Sequence, residues 1–300
     1  MATAEYDFLD HEMLSKLGSI PLEARVPMLG SIAGRHKSPN RGSSVEFAEY
    51  RKYVQGDDTR RLDWKAYART DRYYIKEFEA DTNLRAYFVV DSSGSMAFQT
   101  EENAQKINVA KKIAASLAYL VSDQGDASGL SCINEKLHIE IPPRSRPAHL
   151  QYIFNTLHDL KPTGKTGLTQ ALHEIAEKVP QRALIIIISD FFCNTDELEE
   201  AFAHLHHRKH DVGAFHIMDR QEIDFDFQRP HRFVDLEDGS SVVAEPELVV
   251  DEYRSAVQAF LKTVKKQCHD IHADYRLVTT DQDIEKFLRD FLVSRLPKGK

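Results

Sequence analysis

Ala183-Leu184-Ile185-Ile186-Ile187-Ile188 is an unbroken apolar run, four of its six residues β-branched. A run this short and this branched is a strand covered on both faces, the condition of a central strand in a parallel sheet flanked by helices. Residues 84–90 form a second, nearly continuous apolar run. Around them the pattern alternates. Over 103–121 Ile107, Ala110, Ile113, Ala114, Leu117, Ala118 and Val121 recur at helical spacing, and Lys106, Lys111 and Lys112 are assigned to the opposite side. Residues 127–133 read as a strand with 136–141 as its hairpin partner across Asn134-Glu135, and 150–160, 168–179 and 196–208 read as helices. A strand over 212–218, a helix over 252–268, a strand over 274–278 and a helix over 282–296 complete the series. Strands joined through helices pair in parallel by right-handed crossovers. The expected fold is therefore α/β and doubly wound: a mostly parallel sheet with helices on both faces.

The flanks depart from this rhythm. Residues 1–44 read as a helix carrying Phe8, Leu9, Met13, Leu14 and Leu17, stopped at Gly18, and then an extended arm. Residues 45–300 are assigned to the α/β domain. An insert at about 219–250 holds Phe225, Phe227, Phe233, Val234 and Leu236 with a turn signal at Asp238-Gly239, which predicts short strands. The longest apolar run is far below the roughly 20 residues of a membrane helix, and the first residues lack the features of a signal peptide. Cys132, Cys193 and Cys268 are odd in number and far apart, so they outline no disulfide framework and suit a reducing cytoplasm. A net charge of −8 argues against nucleic acid as a partner, since phosphate contact needs a basic surface. The four histidines His204, His206, His207 and His210 read as a solvated helix surface.

In doubly wound sheets ligands sit beyond the carboxyl ends of the strands, where strand order reverses. The residues predicted there are Asp91-Ser92-Ser93-Gly94-Ser95 after the first buried strand, Ser189-Asp190 after the second, and Thr163-Gly164-Lys165-Thr166 before a helix. Asp91, Ser93, Ser95, Thr166 and Asp190 are all hard oxygen donors, a set suited to Mg²⁺ (or Mn²⁺) rather than to zinc or copper. Two aspartates balance a divalent ion, and three neutral hydroxyls leave it electrophilic. Its sixth ligand would then be an Asp or Glu from another protein, a role lost if the chain's own acid fills the vacancy.

These pieces in this order, with Thr166 ahead of Ala171-Leu172, resemble the metal-ion-dependent adhesion site of von Willebrand factor A domains. A second resemblance covers more of the chain. Glu46-Phe47-Ala48-Glu49-Tyr50-Arg51, then Gly56-Asp57-Asp58, Arg60-Arg61, Asp63-Trp64 and Ala68-Arg69, are similar to the signature of the bacterial family called domain of unknown function 58. So are Phe233-x-Asp235-Leu236-Glu237-Asp238-Gly239, Thr279-Thr280-Asp281 and Phe291-Leu292-x-x-Arg295. The resemblance implies a factor-A-like domain working beside a MoxR-type AAA+ ATPase, and a protein-binding adaptor rather than an enzyme. Within the signature, Arg60, Arg61 and Trp64 are expected to lock their segment onto the sheet, with Trp64 buried.

Catalytic readings are weaker. Gly164-Lys165-Thr166 resembles the end of a P-loop, but Asp159 stands where its first glycine belongs. A metal-dependent hydrolase or phosphatase using the same five residues is the alternative. A phosphoaspartate enzyme of the haloacid type, however, has a second Asp as general acid two residues after the first, and here Ser93 occupies that place.

Overall fold

The computed structural model describes residues 6–25, 36–37, 46–52, 64–70, 72–79, 81–82, 84–100, 103–227 and 229–297. In chain order the elements begin with α1 (His11–Leu17), β1 (His36–Lys37), β2 (Glu46–Lys52), α2 (Trp64–Thr70), β3 (Tyr74–Glu79) and β4 (Asp81–Thr82). They continue with β5 (Arg85–Asp91), α3 (Lys106–Asp123), β6 (Ala127–Ile133), β7 (Leu137–Arg144), α4 (Pro147–Asp159), α5 (Leu168–Lys178) and β8 (Leu184–Ser189). The remainder is α6 (Thr195–His207), β9 (Asp211–Met218), α7 (Arg220–Asp224), β10 (His231–Val234), β11 (Ser241–Ala244), α8 (Pro246–Asp270), β12 (Asp274–Thr279) and α9 (Ile284–Arg295). The chain divides into two compact units, residues 1–26 with 85–300, and residues 27–84. The boundary expected between residues 44 and 45 falls inside the smaller unit.

The larger unit is built on a six-stranded sheet of order β12-β9-β8-β5-β6-β7. All its pairs are parallel except β6–β7, the hairpin across Asn134-Glu135. This is the doubly wound α/β class expected from the alternating pattern. Every residue of β8 is buried. Successive strand side chains point to opposite faces, and β8 uses both. Ile185 and Ile187 pack with Leu172 and Ile175 of α5, Phe202 and Leu205 of α6 and Val264 of α8. Toward the other face Phe215 of β9 meets Phe287 and Phe291 of α9 edge-on, with ring centroids 5.0 and 4.8 Å apart. Each fully buried isoleucine contributes about 2–3 kcal/mol by burial.

Helix starts follow local chemistry. Asp10, Asn194 and Asp283 cap α1, α6 and α9 by accepting backbone N–H groups of the first turn. Asp219 and Glu222 form a reciprocal capping box at α7, a helix the sequence pattern did not announce. The insert's short strands are present as the antiparallel ribbon β10–β11.

In the smaller unit β2 pairs antiparallel with β3, and β1 with β4. Gly56, Asp57, Asp58, Arg60, Arg61 and Asp63 lie outside the described residues, while Trp64 and Arg69 lie on α2. The expectation of a buried tryptophan is corrected. Trp64 is 61% exposed, its ring edge-on to Tyr67, which in turn stacks on Tyr73.

Two further corrections concern charged and polar groups. Lys106, assigned from sequence to the solvent side of α3, is completely buried, and Lys111 nearly so. Helical spacing explains the first, since 106, 110, 113 and 117 fall on one stripe, so Lys106 shares the core face of Ala110, Ile113 and Leu117. His210 is buried beyond the end of α6, where its Nδ1 accepts the Ala183 N–H at 3.3 Å, rather than lying on a solvated surface.

Candidate metal centre

β5 and β8 are neighbours, and the chain departs from them in opposite directions, to β6 on one side and to β9 on the other. Strand order therefore reverses between them, at the crevice where such sheets hold ligands. Asp91 ends β5 and Asp190 directly follows β8, and both are buried.

Three loops meet at this rim through backbone bonds. Ser92 N–H donates to Ile133 O at 2.6 Å, Thr163 N–H to Ser92 O at 2.8 Å, Gly94 N–H to Gly164 O at 2.8 Å, and Gly167 N–H to Asn134 O at 2.6 Å. The approach at Gly167 requires a glycine, because a Cβ there would lie 2.1 Å from Glu135 O. So pinned, Thr166 Oγ1 donates to Asp91 Oδ2 at 3.3 Å. Ser93 N–H donates to Asp91 Oδ1 at 2.9 Å, and the Ser93 and Ser95 hydroxyl oxygens lie 3.1 Å apart. Burial, and then the neighbouring charge of Asp190, push the Asp91 carboxyl up to about 6.

The structure gives Ser189, already expected at this rim, a partner in Asp91, and it adds four further side chains: Phe191, Lys106, Glu222 and Glu237. Ser189 Oγ donates to Asp91 Oδ2 at 2.7 Å and accepts Phe191 N–H at 2.8 Å. Phe191, fully buried, takes a left-handed φ of 54°, a costly conformation for a bulky residue that recurs at functional sites. Lys106 Nζ lies 2.8 Å from both Asp190 Oδ2 and Glu222 Oε1. Burial works to lower its ammonium, but the charges of Asp190 and Glu222 outweigh this and hold it above the usual lysine range.

The fourth is Glu237, at the tip between β10 and β11. Its neighbour Leu236 presses its backbone onto the first loop: a Cβ on Gly94 would lie 2.2 Å from Leu236 O and 3.1 Å from Glu237 Cα. Burial raises the Glu237 carboxyl, the Thr166 backbone and Ser95 hydroxyl draw it down through hydrogen bonding, and the charges of Asp190 and Asp91 add to the rise. Its Oε1 is buried with no partner. The family-like segment containing Glu237 was the only sequence signal for it, and the helical stripe was the signal for Lys106. Ser189 had none beyond its place at the end of the apolar run.

Asp91, Ser93, Ser95 and Thr166 come together at the rim. Asp190 stands at the same rim, with one carboxylate oxygen held by Lys106 and the other accepting Phe192 N–H at 3.3 Å. The donors fit a small hard cation. Oxygens at about 2.1 Å from a six-coordinate Mg²⁺ are roughly 3 Å from each other, close to the Ser93–Ser95 separation. Among the described residues no three of His, Cys, Asp and Glu form a metal-holding group, so hydroxyls are indispensable to any site here. The expected charge balance is corrected. With Glu222 and Glu237 added and Lys106 subtracted, four carboxylates against one ammonium leave −3 rather than −2.

A doubly wound sheet with an oxygen-rich rim at its reversal point defines an α/β domain with a candidate ligand site at that rim. The chain belongs to the family described as "Protein of unknown function DUF58", whose family model matches residues 49–266. It is 26% identical over 295 residues to uncharacterized protein Rv1480 of Mycobacterium tuberculosis, covering 96% of this chain and 92% of that one. Among solved structures, BatB from Bacteroides thetaiotaomicron aligns with a TM-score of 0.47 and 17% identity over 71% of this chain and 98% of that one. The SpRpn10 VWA domain aligns with a TM-score of 0.41 and 10% identity over 73% and 97%. Among the described residues no helix is long and apolar enough to cross a membrane.

Proposed function

We propose that this chain is a non-enzymatic adaptor of the cytoplasm, docking acidic segments of other proteins at a Mg²⁺ or Mn²⁺ ion. Asp91, Ser93, Ser95, Thr166 and Asp190 would hold the ion, Asp190 through whatever reach Lys106 leaves it. The observation that carries this reading is the meeting of Asp91 with the Thr166 hydroxyl and the Ser93–Ser95 pair, from separate loops, at the reversal point of the sheet. When bound, the ion supplies an electrophilic centre to which a carboxylate attaches. The chain's own residues do the remaining work. Ser189 and Ser93 N–H hold the Asp91 carboxylate in place, Lys106 pairs with Asp190 in the interior, and the bonds between loops fix the hydroxyls before any ligand arrives.

Partnership with a MoxR-type AAA+ ATPase, in assembling or remodelling protein complexes, is supported by the family likeness. The hydrolase reading uses the same residues but has no general acid two residues after Asp91. Isothermal titration of wild type and Asp91→Ala with Mg²⁺ and Mn²⁺ tests the shared premise, with binding expected for wild type alone. Metal-dependent pull-down of the purified ATPase, lost in Ser93→Ala/Ser95→Ala, is the expected adaptor result. Phosphatase turnover abolished by Asp91→Ala would overturn it in favour of the enzyme.

A further inference from the structure

A docking site for a foreign carboxylate has to be free of the chain's own acids, and at this rim one stands ready. Glu237 is carried on a turn that is itself well made. Asp235 Oδ1 accepts Glu237 N–H at 2.7 Å, Asp235 N–H bonds Ser240 O at 2.8 Å, and Gly239 N–H bonds Asp235 O at 2.9 Å. Asp238 reaches Lys165, one residue before Thr166, at 3.5 Å. The turn backbone sits so close to Gly94 that no side chain fits between them. Within this packed contact Glu237 Oε1 is shut off from solvent and has no hydrogen-bond partner, an arrangement disfavoured for a carboxylate oxygen unless a donor or a cation meets it there.

We propose that Glu237 is a built-in ligand: its carboxylate takes the open position of the bound ion in cis, so the β10–β11 turn holds the docking site closed until a partner's acid displaces it. This rests on the metal reading above, and it replaces the expectation that the chain's own acid abolishes docking with one in which that acid gates it. An intramolecular carboxylate on a short tether acts at an effective concentration on the order of millimolar, so weak or isolated acids are excluded. A partner that succeeds must present an acid together with contacts that replace those of the turn, most directly a turn of its own with an apolar residue before the Glu, as Leu236 precedes Glu237. A site closed about nine-tenths of the time weakens the apparent affinity of a competing carboxylate about tenfold.

The test uses the full chain, Glu237→Ala and Glu237→Gln, with Mn²⁺ as the metal and acetate as the carboxylate probe. Water-proton relaxation by protein-bound Mn²⁺ should be greater in Glu237→Ala than in wild type, because a water replaces the carboxylate. Acetate should reverse that gain, with an apparent affinity about tenfold tighter for the variant than for wild type. Hydrogen exchange over 231–244 should slow on adding Mg²⁺ in wild type and remain unchanged in Glu237→Gln. Equal relaxation and equal acetate affinity in chains that all bind Mn²⁺ would overturn the built-in ligand and leave the metal site standing. Failure of every chain to bind Mn²⁺ would remove the metal site and the inference together.

Discussion

The ammonium of Lys106 lies 2.8 Å from Asp190 Oδ2, and neither side chain reaches solvent. Glu222 Oε1 completes the group at the same distance. A buried pair of this kind matters chiefly through what its loss leaves behind, since removing one partner strands an uncompensated charge. Lys106→Met should destabilise the fold by about 3–5 kcal/mol in urea denaturation. Adding Asp190→Asn should recover part of that loss, and a single variant as stable as wild type would show that the pair is not formed.

Metal binding should be visible as stability. A ligand that binds only the folded state stabilises it by about 2.7 kcal/mol at a hundredfold excess over its Kd. Mg²⁺ at that level should raise the thermal midpoint of wild type, EDTA should reverse the rise, and Asp91→Ala should not respond. An equal rise in Asp91→Ala would place the ion elsewhere.

Gly94 tests the packing of the turn onto the rim. The methyl group of Gly94→Ala would fall 2.2 Å from Leu236 O, a backbone atom that cannot move without the turn. The β10–β11 ribbon is the more exposed of the two partners, so it should yield. Hydrogen exchange over 231–244 should accelerate while β8, buried throughout, keeps its protection. Global stability should fall by only about 1–3 kcal/mol.

The acid limb of stability should depend on His216. Burial lowers its imidazole to about 4, below the unfolded value near 6.5. The folded state therefore binds fewer protons than the unfolded one between these values, and stability falls as the pH drops from about 6.5 to 4, by up to about 3 kcal/mol. Nδ1 lies 3.1 Å from the Tyr275 hydroxyl, and burial, with Lys106 adding to the lowering, outweighs the Asp190 charge and backbone, which draw the imidazole the other way. His216→Phe should flatten the pH dependence in this window, measured by urea midpoints, even if its stability at pH 7 is lower.

The local pattern of the chain was sufficient for the main strands and helices of the α/β sheet, though not for α7 or for the elements of residues 27–84. The apolar run at 183–188, the helical stripe from Ile107 to Val121 and the turn at Asn134-Glu135 each specify their element because strand and helix periods are written into neighbouring residues. From strands and crossovers the doubly wound class follows, and with it the rim where Asp91, Ser93, Ser95, Thr166 and Asp190 were expected. Lys106 shares the stripe of Ala110 and Ile113, yet its charge predicts the solvent side, and its burial is a correction. A lysine on such a stripe, however, is stable only if an acid faces it, and Asp190 and Glu222 are remote in the chain. The same holds for Ser189 beneath Asp91 and for Glu237, whose turn meets Gly94 across the rim. Periodicity tells whether a side chain faces inward. Which distant charge or backbone it faces is set by how the strands are ordered and where the loops cross, and only the tertiary structure decided that.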